Sequence, residues 1–413
     1  KHVKQMSMQT QHGHLTYCSN IHPGESWEDH FKQLQEHIPV IKKQVSPDKA
    51  FGIGLRLSNK ASIELIKEKN LEIFRQWLLD NDCYVFTMNG FPYGGFHRSV
   101  VKDKVHAPDW TTAEREAYTI RLAQILSVLL PDGMEGGIST SPLSYRFWHT
   151  NEQLPGIFEK STFHLLAVLD QLIQIKQSTG KLIHIDIEPE PDGLLGEGKE
   201  FINWYTQYLL PQGIPYIAKL FGCSDDIAAF HIKEHIQLCY DVCHFAICYE
   251  DHAAMIKQIQ ELGIKTGKIQ ISAALKAALP AGKEERNAVI EAFARFNEPT
   301  YLHQVVAMQQ NGQLQRYADM PNALQDAGNA SVTEWRAHFH VPLFVEGYGL
   351  LQSTRQDIEE VLSVHMKQPF TSHLEIETYT WEVLPEEQKL PLTKSIIREM
   401  QWVMGLMRGS GGW

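Results

Sequence analysis

Along this chain, short stretches of alternating or unbroken apolar residues take turns with longer stretches of helical period. Eight short stretches read as strands: 15–20, 51–57, 84–88, 136–142, 181–188, 236–242, 268–272 and 373–378. Helical patterns fill the intervals at 26–45, 62–79, 111–130, 155–178, 197–209, 224–234, 252–262, 283–296 and 353–365, with a closing one at 392–407. Ser26 with Asp29, and Thr111 with Glu114, supply helix-start signals. The 62–79 helix is expected to bury Ile63, Ile66, Ile73, Phe74 and Trp77 as one stripe.

Two stretches break the alternation. Residues 89–110 form a loop rich in Gly, Pro and aromatics, of the length that lids and binding loops have. A less regular insertion runs to about residue 335, and 336–341 then alternates like a further strand or an extended loop. Eight strands, each followed by a helix, predict a parallel sheet, and eight in one chain predict a closed (β/α)8 TIM barrel with long βα loops and a C-terminal helical extension. The expected division is a tail over 1–11, the barrel over 12–384 and the extension over 385–413. The closing helix, with Trp402, Met404 and Met407, is expected to pack on its own barrel.

Composition narrows the class. With 43% hydrophobic and 21% charged residues, the chain has the make-up of a soluble globular protein, and no apolar run reaches a membrane span. A net charge of −11 argues against nucleic acid as a partner. Six cysteines without a CxxC pair point to a reducing compartment and a cytoplasmic location. Monomer and homodimer both fit these numbers.

The chemistry lies at the strand ends. In KLIHIDIEPEPD, residues 181–192, alternation puts His184, Asp186 and Glu188 on one face, and Pro189 stops the strand. The next strands carry Asp241 with His244 three residues on, then Gln270, then Glu375 and Glu377. In a barrel these four consecutive strands converge at one mouth, where ligands bind. Carboxylates so gathered repel unless a cation lies between them, and hard oxygen donors suit Mn²⁺ or Mg²⁺, with Zn²⁺ as a third candidate.

The motifs IDIEPEP, YDVCH, KIQIS and LEIET together resemble the xylose isomerase-like TIM barrels, which include sugar epimerases, isomerases, dehydratases and nucleases. That resemblance implies the metal ligands Glu188, Asp241, Gln270 and Glu377, with Glu375 the alternative to Glu377. It also implies Glu188 and Glu377 as the bases that exchange protons with carbon, and His244 beside the substrate. A nuclease-type second metal is not expected, because His338 stands where that branch has an aspartate. The stretches CSNIHPGESW, FGIGLRLS, NGFPYGGFH, TSPLSYRFW and HLEIETYTWEVLP resemble the EboE family of metabolite traffic proteins, which implies a small polyol or cyclitol metabolite. Further candidates for contact with substrate hydroxyls or a phosphate are Glu190, His22, Arg56, Asn89, His97, Arg146, His338 and His340, with Lys102 and His149 beside them. The expected activity is isomerisation or epimerisation of a sugar, cyclitol or sugar phosphate through an enediolate. A dehydratase and a non-catalytic metabolite binder on the same barrel are the alternatives.

Overall fold

The structure, a computed structural model, describes residues 9–10 and 12–408. The tail expected over 1–11 lies outside the described residues apart from Gln9 and Thr10, which pair antiparallel with His14 and Gly13. Eight parallel strands form the barrel: β1 (Gly13–Tyr17), β2 (Phe51–Arg56), β3 (Cys83–Asn89), β4 (Gly136–Thr140), β5 (Ile183–Ile187), β6 (Ile236–Asp241), β7 (Thr266–Ile271) and β8 (His373–Ile376). Hydrogen-bonded pairing runs from β2 through β3 to β8 and on to β1. A bridge between Cys18 and Gly54 brings β1 back to β2 and nearly closes the barrel.

The interior of the barrel is layered, as the two-residue period of a strand requires. Register sets Gln270 beside Asp241 on one side and Glu375 on the other. Two glycines make room for the acids beneath. A Cβ at Gly54 would collide with Glu375, and one at Gly267 with Asp186.

The helices follow from local signals with two shifts. Ser26 accepts from the Asp29 backbone N–H at 3.1 Å, as its spacing predicts. The cap expected at Thr111 sits one residue later: Thr112 accepts from Arg115 N, while Thr111 donates to Asp109. The single helix expected over 62–79 is two helices, Asn59–Leu65 and Glu68–Asp80. Ile63 in the first and Ile73 in the second are exposed, while Leu65, Leu71, Phe74 and Leu78 are buried. The helix begun at Gly198 passes through a π-turn at Tyr205–Leu209 and continues to Phe221, beyond its expected end at 209.

The insertion after β7 is more regular than its sequence suggests. Before the helix Arg355–Lys367 returns the chain to the barrel, six antiparallel strands form a second sheet. Its spatial order is Leu314–Tyr317, Val305–Gln309, Val332–Ala337, Leu275–Ala278, Leu351–Ser353 and Gly347–Tyr348. The helix Lys283–Ala294 therefore belongs to this insertion rather than to the barrel's outer ring. Past Val332–Ala337 the chain stays extended, and the Val341 N–H bonds Ala273 O at 3.0 Å beside the end of β7. This return delivers His338 and His340 to the barrel mouth.

The C-terminal helix Leu392–Arg408 buries Ile396, Met400, Val403 and Met407 against the barrel. Trp402 stacks under Arg355 at 5.5 Å. Glu399 on the same helix is also buried, accepting from Thr378 Oγ1 at 2.6 Å and from Leu343 N at 3.1 Å. Burial pushes its carboxyl up to about 7, against the pull of those two donors. A raised folded-state value favours the protonated form, so this contribution to stability is complete below the unfolded value near 4.5. It is lost as pH rises through 7. Glu399→Gln is accordingly expected to match the parent at pH 5 and to exceed it by about 2 kcal/mol at pH 8. Urea unfolding at the two pH values reads this, and an equal difference at both would refute it.

Candidate metal centre and substrate cavity

Four side chains from the ends of β5 to β8 meet at one point. The Gln270 amide nitrogen lies 3.1 Å from Glu188 Oε1, 3.0 Å from Asp241 Oδ2, and in contact with Glu377 Oε2. An amide has two hydrogens, and three carboxylates compete for them. Turning the amide over by a half-rotation about its last side-chain bond places its oxygen in the middle instead. The group then becomes four oxygens converging on one position, a donor set suited to a hard divalent cation. Glu188 Oε2 is buried and has no hydrogen-bond partner. Burial first, and then Glu377, Asp241 and Glu190, push the Glu188 carboxyl well above its usual range. Asp241 is held low instead. Burial would raise it, but His244, His340, the Ser272 hydroxyl and the His244 backbone N–H outweigh that effect.

The ligand alternatives separate cleanly in space. Glu377 faces Gln270 and accepts from Asn20 Nδ2 at 2.7 Å and Asn89 Nδ2 at 3.0 Å. Glu375, two residues earlier, lies one layer deeper and pairs with Lys268 at 2.8 Å.

Beside this group stands a second one. The Nε2 atoms of His244, His338 and His340 are 3.1, 3.2 and 3.4 Å apart. Each Nδ1 is already engaged: His244 with Pro189 O at 2.8 Å, His338 with Gln304 Oε1 at 2.6 Å, and His340 with Glu377 Oε2 at 3.1 Å. Those three oxygens are acceptors, so the network assigns the ring protons to Nδ1 and leaves three Nε2 lone pairs facing one another. Three nitrogens at the corners of a tetrahedron with bonds of about 2.0–2.1 Å are about 3.3–3.4 Å apart. The residues therefore fit a zinc-like cation, and the three acceptors are the outer partners such histidines have. His338 brings its imidazole into this trio although the sequence comparison gave no reason to expect a second metal there. Burial would lower the proton affinity of His340, but Cys243, Asp241 and Glu377 hold it well above its usual range.

A cavity opens above the floor made by Glu188, Glu190, His244 and Glu377, and Asn89 lines its side. Glu190 lies 3.7 Å from both His106 and His338, and burial pushes its carboxyl up to about 8. The remaining candidates point elsewhere. His22 bonds the Tyr17 hydroxyl at 2.8 Å and stacks on His37 at 4.5 Å. Arg56 is buried and donates to the carbonyls of Pro92 and Gly94, bracing the loop after β3. His97 joins Asn20 O to the Tyr301 hydroxyl behind the cavity wall. Arg146 pairs with Glu200 and Leu194 O, and His149 with Ser144. These side chains are spent on holding loops, the usual fate of a buried polar group.

Three contributors escape a reading of the sequence. Asn20 stands just past β1, and the strand-end argument used for the acids would have found it. Ser272, two residues past Gln270 and so on the same face, donates to Asp241 at 2.6 Å. Gln304, which orients His338, comes from the insertion and carries no sequence signal.

No protein-family model matches the chain, and no curated protein matches it either. Among solved structures it is similar to the IOLI protein with a bound zinc atom, at 11% identity over 96% of this chain and 98% of that one, with a TM-score of 0.48. L-ribulose 3-epimerase gives 9% identity over 96% and 95%, with a TM-score of 0.47. A xylose isomerase-like TIM barrel protein from Mycobacterium smegmatis in complex with magnesium gives 10% identity over 96% and 99%, also at 0.47. Among the described residues no helix is long and apolar enough to cross a membrane.

Proposed function

We propose that this protein is a divalent-metal-dependent isomerase or epimerase of a small polyol, working by proton transfer at a carbon next to a carbonyl. One observation carries the reading: Glu188, Asp241, Gln270 and Glu377 converge on one point, and Glu188 and Glu377 of this group line the floor of a cavity. The ligands proposed are these four, with Mn²⁺ or Mg²⁺ at the oxygen-rich position. The three histidine nitrogens support a second, zinc-like position beside it. When bound, such a cation supplies Lewis acidity to neighbouring substrate oxygens.

The protein's own groups do the rest. Glu188, a carboxylate at the cavity floor, takes a proton from carbon. Glu377, fixed by Asn20 and Asn89, returns one. His244, anchored through Nδ1 on Pro189 O, borders the cavity and turns its Nε2 to the three-nitrogen position. Glu190 keeps its proton at neutral pH and donates to another oxygen. That same proton would protonate a departing hydroxyl, and this favours a dehydratase as the second reading. The EboE-like motifs support a place for the reaction in a small-metabolite pathway.

The test is metal analysis followed by incubation with a panel of ketoses and inososes in deuterated water. The expected result is two divalent ions per chain, falling to one in His338→Ala, and deuterium entering carbon with no other change of mass. Loss of water would establish the dehydratase. Binding without exchange would leave a carrier, and indifference to both metal and panel would end the proposal.

A further inference from the structure

The cavity walls differ in kind from its floor. Above the carboxylates the lining is Phe91, Phe96, Val101, Val105, Leu302 and Tyr379. The rings of Phe96, Tyr301 and Tyr379 pack together with centroids 4.9–5.2 Å apart. The Tyr301 hydroxyl is taken by His97 at 2.9 Å. Among the described residues, one cationic side chain lines the cavity, Lys102. Its ammonium already donates to Asp319 at 2.7 Å and to Glu298 O at 3.3 Å. Arg56 and Arg146, the other cations offered to a phosphate on sequence grounds, are bound to carbonyls and to Glu200.

We infer that the site takes an uncharged polyol bearing a compact apolar group, and that it discriminates against sugar phosphates. The inference rests on the metal-site reading of the floor and adds what the walls select. The floor binds vicinal oxygens. The walls offer an apolar surface whose contact with water is lost when a matching group covers it. Among the described residues, a phosphate seated against the walls would find no cationic side chain without a partner. In this conformation the cavity measures about 40 Å³, room for a water or two, so binding requires the wall to move. The N–H groups of Val101 and Lys102 bond Thr300 O at 2.7 and 2.9 Å, which joins the two wall segments that would close over the apolar group.

Calorimetric titration of the Mn²⁺-loaded protein with three probes tests this: myo-inositol, its 1-O-benzyl ether and its 1-phosphate, with the xylitol series in the same three forms. The benzyl ether is expected to bind at least tenfold tighter than the parent polyol, and the phosphate no tighter than the parent. Phe96→Ala should cut the benzyl preference at least fivefold. Asp319→Asn, which removes the negative charge facing Lys102, should raise phosphate affinity about fivefold. A phosphate that binds tightest, or a benzyl group without advantage, overturns the inference. So does failure of every probe while Mn²⁺ still binds. Failure of Mn²⁺ itself to bind brings down the reading beneath it instead.

Discussion

Glu188→Gln is expected to lower turnover by about 100- to 10,000-fold while making the metal-free protein more stable. The two effects have one cause. In the metal-free state Glu188 sits among Glu377, Asp241 and Glu190, almost wholly buried, with one carboxylate oxygen unpartnered. Burial and that crowding oppose its charge. Replacing it with a neutral amide of the same shape relieves about 1–3 kcal/mol of unfavourable interaction. The same change removes a metal ligand and the base that takes the proton. Added Mn²⁺ at a hundred times its dissociation constant stabilises the parent by about 2.7 kcal/mol, and should stabilise the variant far less. Thermal melts with and without Mn²⁺ should therefore cross: the variant higher without metal, the parent higher with it. Parental turnover in the variant would dispose of the proton-transfer scheme. A metal-free variant less stable than the parent would show that the carboxylates are not in conflict.

The barrel was legible because a parallel sheet buried on both faces needs apolar runs, and because polar residues inside such runs have few places to go. His184, Asp186 and Glu188 read as one face, and they are one face. The strand ends located the acids for the same reason. The inserted sheet was less legible, since its strands are only two to six residues long and alternate weakly. One of its hairpins was nevertheless written out. Asn311-Gly312 stands between two of the strands, Gly312 takes φ +80°, and the Gln309 N–H meets Gln313 O at 2.9 Å. Candidate cations were misplaced because sequence shows that an arginine is near a strand end, not which acceptor it will find. Arg56 found two carbonyls, and nothing in FGIGLRLS foretells them. Lys268 misleads in the opposite sense. It opens the strand KIQIS, where a lysine reads as solvated, yet alternation with Gln270 commits it to the interior of the barrel.

Lys268→Met is therefore expected to cost about 3–5 kcal/mol, far more than a surface lysine would. Lys268 and Glu375 are both fully buried, 2.8 Å apart, and the ammonium also donates to Ser139 Oγ at 3.0 Å. Burial pushes the Glu375 carboxyl up, and Lys268 is the largest influence pulling it back. Its other oxygen, Oε2, has no partner, and Asp186 Oδ2 in the same layer has none either. Removing the cation leaves this acid charged and unpaired in the buried interior, or forces it to take up a proton. Lys268→Met with Glu375→Gln removes both charges and should recover much of the loss, a departure from additivity of about 2–3 kcal/mol. The pair also reaches the site above it, since Gln270 is the register neighbour of Glu375 and Lys268 opposes the upward shift of Glu188. The single variant should thus also bind Mn²⁺ more weakly at neutral pH, as Glu188 holds its proton more firmly. Chemical unfolding of the two single variants and the double gives the coupling directly. A single variant of unchanged stability, or a double no better than the sum of its parts, would mean that solvent or a rearranged neighbour compensates these charges.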